Sequence, residues 1–107
     1  MERVLTAKTT DKIGSDVKVS GWVDARRDHG KIIFIDLRDR SGILQCVFVP
    51  GSEDVYKAGD SLRPEWVVEL EGKIATRPEK MVNPNLPTGA IELQVSGIKI
   101  LNECTTP

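Results

Sequence analysis

Between residues 17 and 101 apolar side chains recur at every second position in a series of short runs. That period places alternate side chains on opposite faces of a β-strand. The first run, Val17–Arg26, sets Val17, Val19, Gly21 and Val23 against Lys18, Ser20, Trp22 and Asp24. A glycine in mid-strand predicts a bend or bulge where a small barrel turns its corner. The turn Asp28-His29-Gly30 leads into Lys31–Asp39, and Asp39-Arg40-Ser41-Gly42 leads into Ile43–Val49, so these three strands form an antiparallel meander. Pro50-Gly51 breaks the sheet. Ser52 is a plausible N-cap, Glu53 and Asp54 favour the positive end of a helix, and Val55, Ala58 and Leu62 follow at helical spacing before Pro64. The fourth strand is Trp66–Ile74, and the fifth is Ala90–Ser96, continuing through Ile98–Leu101 after a bend at Gly97. Residues 1–16 carry little pattern beyond one helical turn at Thr10–Gly14. Thr76–Gly89, with three prolines and two asparagines, reads as a long functional or disordered loop.

Five strands with a short helix between the third and fourth define the expected class: all-β, a five-stranded OB-fold Greek-key barrel. In such barrels the outer face of the second and third strands, with the flanking loops, is the usual ligand surface. Ile33, Ile35 and Leu37 take the core side of the second strand, which leaves Phe34 beside Asp36 and Arg38 on the other face. A ring on a charged face gains little from burial and more from a flat partner, and a nucleobase supplies one. Gln45 falls on the same outer surface, and Glu92 reaches it from the fifth strand. Gln carries both a donor and an acceptor, which suits the mixed edge of a pyrimidine.

Composition narrows the partners. At 107 residues, with 39 % hydrophobic and 29 % charged side chains, the chain makes one domain whose core needs no metal or disulfide. A net charge of −1 supplies no global pull on polyanions, so a nucleic-acid site has to be a local patch. Arg26, Arg27, Lys31, Arg38 and Arg40 outnumber Asp28, Asp36 and Asp39 by two, which predicts weak, salt-sensitive binding. The same arginines have a plainer use in surface ion pairs with those acids, favoured for Arg38 and Arg40. Cys46 and Cys104 lack CxxC spacing, and with the single His29 they argue against a zinc site and for a reducing compartment. No apolar run approaches membrane-spanning length, so a cytoplasmic location is expected, with no membrane partner. No phosphate-cradling glycine loop, catalytic triad or metal cluster is present, and no catalytic or metal-binding residue is assigned.

The strings GWVDARRDHGKIIFIDLRDRSGILQCVF, LRPEWVVELEGKIATRPE and NPNLPTGAIEL, followed by ILN, resemble the N-terminal anticodon-binding domain of bacterial-type aspartyl-tRNA synthetases from about Val17 to Asn102. The resemblance implies a tRNA-reading module. It assigns Phe34 to stacking on the middle anticodon base, Gln45 to hydrogen-bonding that base, and Arg27 to the anticodon loop. It gives Arg77 and Glu92 to the first anticodon base, with Asn83 in the matching loop. His29 and Lys80 are candidates for third-base discrimination. Ala25, Ala75 and Ala90 depart from the family's pattern. The implied organisation is a barrel over residues 16–102, with 103–107 beginning a connection to a catalytic body. That body would belong to a homodimeric ligase using ATP and magnesium, and the fragment itself would need no cofactor. The competing readings are a free-standing single-strand binder and a protein-interaction barrel.

Overall fold

A computed structural model of the chain describes residues 2–51 and 53–102, Glu2 by its backbone alone. The proposed N-cap Ser52, Cys104 and the connecting tail 103–107 lie outside the described residues. The strands are β1 (Glu2–Arg3), β2 (Asp16–His29), β3 (Ile32–Asp39), β4 (Gly42–Phe48), β5 (Val67–Thr76) and β6 (Ile91–Asn102). One α-helix, α1 (Glu53–Ser61), lies between β4 and β5. Strands β2–β6 close into the five-stranded OB barrel that the alternation predicts, with the helix between its third and fourth strands. β2–β3, β3–β4, β5–β6 and β2–β5 pair antiparallel, and β4–β6 closes the wall in parallel.

β2 is long because it serves two partners. Asp16–Trp22 pair with β5, and Trp22–His29 pair with β3. The register slips between Val23 and Ala25, so the bulge falls at Asp24 and not at Gly21. Gly21 is required for a different reason: a Cβ there would lie 2.3 Å from the Arg38 carbonyl oxygen, where β2 changes partner. The hairpin into β3 is tighter than the sequence suggests, with Gly30 and Lys31 alone in the turn and Gly30 at φ 62°, the left-handed geometry that matches strand twist.

The barrel interior holds the inward set of each strand: Val17, Val19 and Val23, then Ile33, Ile35 and Leu37, then Leu44, Cys46 and Phe48, with Val68, Leu70, Ile74, Ile91 and Leu93. Burial pushes the Cys46 thiol up, so it acts as a small apolar filler. Helix α1 plugs one end. Its buried residue is Gly59, whose missing Cβ makes room for the Phe48 ring; a Cβ would lie 2.5 Å from it. Leu62 follows into the core.

The N-terminal segment departs from expectation. A short 3-10 helix spans Thr6–Asp11, earlier than the turn placed at Thr10–Gly14, and β1 runs parallel to the start of β2. The segment is held by Asp39, whose carboxylate accepts from the Thr6 amide and hydroxyl (both 2.8 Å) and from the Ser41 amide (2.8 Å) and hydroxyl (2.6 Å). Asp39 is therefore occupied by a cap and not by an arginine. Arg38 pairs with Asp24 (3.1 Å), Arg26 with Asp28 (2.8 Å) and Asp60 (2.7 Å), and Arg40 is exposed.

Candidate nucleic-acid interface

Strand alternation puts Phe34, Asp36 and Arg38 of β3 on the outer face, and register carries that face across the sheet. Arg27 lies opposite Phe34, Phe34 opposite Val47, and Val47 opposite Gln94; Ala25, Asp36 and Gln45 form the next row. The loop between β5 and β6 folds over this surface. It is an ordered structure, not a slack connection: a 3-10 turn occupies Glu79–Met81, and Asn83 and Gly89 close the remainder. The Asn83 amide donates to Gly89 (2.9 Å), and the Asn83 side chain accepts from the Asn85 amide (3.0 Å). Gly89 lies so close that a Cβ would stand 1.6 Å from the Asn83 carbonyl oxygen. The Thr88 hydroxyl donates to the Ile43 carbonyl, which ties the loop to β4.

Loop and sheet enclose two adjacent hollows that share Met81. One, of about 340 Å³, is apolar at its floor and lined by Phe34, Val47, Pro78, Glu92, Gln94 and Val95, with exposed Ile32 and Val49 at its edge. The other, of about 400 Å³, is polar and lined by Arg27, Asp36, Gln45, Arg77, Lys80 and Asn83, with Leu86. All eight residues singled out in the sequence are therefore gathered on one face: Phe34 and Glu92 in the first hollow, Arg27, Gln45, Arg77, Lys80 and Asn83 in the second, and His29 edge-on against the Phe34 ring at 5.3 Å. Met81, Pro78 and Gln94 were missed; only the loop's proximity brings the first two there.

Two expectations need correction. Phe34 faces outward and is absent from the inner core, yet it is only 7 % exposed, with His29 edge-on against its ring and Pro78 and Met81 of the loop lining the same hollow. Gln45 does not lie on a solvated face either; it is 1 % exposed beneath two arginines. Its side-chain oxygen accepts from Arg27 Nη2 (3.1 Å) and Arg77 Nη1 (3.3 Å). Arg27 also grips Asp36 through two bonds (2.8 and 3.1 Å), which raises its pKa further above the ordinary arginine value.

Arg77, 7 % exposed, spans loop and sheet. Its Nε donates to the Ile91 carbonyl (2.7 Å) and its Nη1 to the Met81 carbonyl (3.3 Å). Burial lowers its pKa, against the pull of Asp36 and Glu92. Burial likewise raises the Glu92 carboxyl, an effect softened by the Gln94 amide, by Arg77 and by the Gln45 amide. The arrangement offers a stacking wall, a buried carboxyl, and a pocket of fixed N–H donors. Among the described residues no group of three or more His, Cys, Asp or Glu is placed to hold a metal ion, and no helix is long and apolar enough to cross a membrane.

An outer-face groove on a closed five-stranded barrel, walled by an aromatic and lined with arginines and amides, defines an OB module built to hold unpaired nucleic acid. The chain belongs to the tRNA anti-codon family, described as an OB-fold nucleic acid binding domain, whose profile matches residues 17–101. It is 50 % identical over 95 residues to the aspartate–tRNA(Asp/Asn) ligase of Rubrobacter xylanophilus, covering 89 % of this chain and 16 % of the ligase. It is 51 % identical over 100 residues to that of Halothermothrix orenii, covering 92 % and 17 %. The chain thus spans about one sixth of these relatives. Among solved structures, asparaginyl-tRNA synthetase from Pyrococcus horikoshii superposes with a TM-score of 0.79 at 25 % identity, over 98 % of this chain and 23 % of that one. An OBody bound to hen egg-white lysozyme superposes at 0.81 and 27 % identity, over 94 % of both chains.

Proposed function

We propose that this chain is the anticodon-reading domain of an aspartate–tRNA ligase, binding the anticodon loop of its tRNA in the two hollows under the β5–β6 loop. The observation that carries the reading is Gln45: a nearly sealed amide, beside an aromatic wall, whose nitrogen makes no full hydrogen bond among the described residues and only a weak approach to the Glu92 carboxylate. A buried donor left unpaired costs ~1–3 kcal/mol, a penalty that a base edge relieves. Unpaired bases are held by aromatic side chains and read along their edges. Phe34 supplies the ring, Gln45 the edge contact, Arg27 and Lys80 the attraction to the loop's phosphates, and Glu92 a carboxyl for a base amino group. Because Phe34 and Gln45 line neighbouring hollows divided by Met81, a single base touching both has to move that flexible side chain aside.

Barrel and loop together, residues 16–102, form the binding unit of this proposal. Aminoacylation with ATP and magnesium, and dimerisation, belong to that larger enzyme, which works where tRNA is charged, in the cytoplasm. The decisive measurement is titration of the 107-residue chain with a stem-loop carrying GUC, against one with all three anticodon bases changed. Tighter binding of the GUC loop by at least about tenfold is expected; equal affinity rejects the reading in favour of an indifferent single-strand binder.

A further inference from the structure

The turn of the β3–β4 hairpin does not hold its own shape. Arg40 and Ser41 alone separate the strands, and neither has positive φ; among the described residues Glu65 is the only non-glycine that does. The two-residue turns that match strand twist need positive φ at one or both of these positions, and other types splay the strands. Asp39 supplies the missing restraint. Its Oδ1 accepts from the Ser41 amide, the Ser41 hydroxyl and the Thr6 hydroxyl, and its Oδ2 from the Thr6 amide. The Ser41 hydroxyl also accepts from the Ala7 amide (3.1 Å), and Thr6 is fully buried. The 3-10 helix Thr6–Asp11 is thus fastened to the turn. Two residues beyond Ser41, the Ile43 carbonyl accepts the Thr88 hydroxyl, the bond that ties the β5–β6 loop to β4. Thr88 is itself 2 % exposed and precedes Gly89, which closes the loop against Asn83.

We propose that the N-terminal segment is a brace for RNA binding: Asp39 is a positioning residue that fixes the β3–β4 turn against Thr6, and the turn sets loop closure through Thr88. The inference rests on the anticodon-reading proposal and adds to it a part of the chain that lines neither hollow. With the turn loosened, the Ile43 carbonyl moves off Thr88 and the loop is closed for a smaller fraction of the time. Affinity falls in proportion to that fraction.

The test is a double-mutant cycle on the 107-residue chain, read by titration with the GUC stem-loop. Asp39→Asn leaves the turn and Thr6 with too few acceptors, and Thr88→Val removes the loop's bond while keeping its shape. Each alone is expected to weaken binding about three- to tenfold. Because both cut one path, the double variant should bind within about twofold of the weaker single variant. Losses that multiply, as for two independent supports, overturn the proposal, and so does either single variant that binds as the unmodified chain does. Thr6→Val, which keeps bulk and amide and removes only the hydroxyl, takes the place of Asp39→Asn in the cycle if that variant does not fold. Amide exchange in the free protein gives a second readout. Asp39→Asn should speed exchange at Asn83 and Gly89 and leave the amides of β5 at their rates. Uniform acceleration would mean that the segment stabilises the whole barrel, which also overturns the proposal. A retained preference for GUC over a fully changed loop, with affinity indifferent to these variants, removes the brace and leaves the anticodon reading standing; loss of that preference in the unmodified chain rejects the reading itself.

Discussion

Arg27 and Asp36 face each other across β2 and β3 through a two-pronged ion pair, 2.8 and 3.1 Å, and Asp36 is the more covered of the two. The pair holds one of the few arginines on the binding face close to the sheet, so in the free protein much of its charge is spent internally. Asp36→Asn keeps an acceptor for Arg27 but removes the competing charge. The variant is expected to bind stem-loop RNA more tightly and with less discrimination. The plot of log K against log salt should steepen by about 0.7 for one added phosphate contact on a single strand. Its stability should fall by only about 0.5 kcal/mol, since partly exposed pairs contribute little. Titrations at several salt concentrations measure the slope, and an unchanged slope means that Arg27 does not reach phosphate.

Phe34 separates stacking from packing. Its ring is nearly covered but outside the core, so Phe34→Leu should preserve most of the apolar contact and cost less than about 1.5 kcal/mol in a urea melt. The same change removes the flat surface and should weaken stem-loop binding by about 1–3 kcal/mol, the loss also expected of Phe34→Ala, if a base stacks there. Loss of stability without loss of affinity would assign Phe34 to supporting the loop alone.

Period-two alternation made most of the barrel legible, because every strand buries one face and exposes the other, and Ile33, Ile35 and Leu37 cannot point anywhere but inward. The outer face was legible in its residue types but not in its burial. Phe34 and Gln45 read as solvent-facing because nothing in β3 or β4 announces that residues 78–89, distant in sequence, fold back over them. The signals for that return are local and small: Asn83 with Gly89 for the closed turn, Thr88 for the anchor to Ile43. The N-terminal helix was misplaced for a similar reason, since its position is set by Asp39, more than thirty residues away.

Gly89 tests whether the covered groove is needed. Alanine at this position drives a methyl group into the Asn83 carbonyl, so the loop has to open. Gly89→Ala should leave the barrel's strand content intact by circular dichroism while weakening stem-loop binding by about tenfold or more, roughly one to two contacts' worth. Faster amide exchange at Asn83 and at Arg77, whose own amide donates to Ala90 (2.8 Å), should accompany the loss. Unaltered affinity would mean that the loop is a bystander.

Asp39 and Glu92 pull stability in opposite directions as acid is added. Partial burial raises the Asp39 carboxyl, but hydrogen bonds from Ser41 and Thr6 outweigh it, and the net result lies below the ordinary value of 3.8. A lowered folded-state pKa means that the unfolded chain takes up the proton first. Asp39 therefore contributes stability above about pH 4 and loses it as pH falls through the folded value. Glu92 is the reverse: burial holds it above its ordinary 4.5, so it favours the fold in acid and that contribution is lost as pH rises through the raised value. In chemical melts from pH 3 to 7, Asp39→Asn should flatten the acid-side loss and destabilise by about 1–2 kcal/mol at neutral pH, because the asparagine amide meets donors on one side. Glu92→Gln should gain on the unmodified chain as pH climbs past about 4.5, since it no longer has to ionise in a covered site. RNA carrying a base amino group at the Glu92 hollow would stabilise the carboxylate, so binding should release protons in weakly acidic buffer, and Glu92→Gln should abolish that release. Proton uptake on binding, or the same release from the Gln variant, would remove Glu92 from the contact.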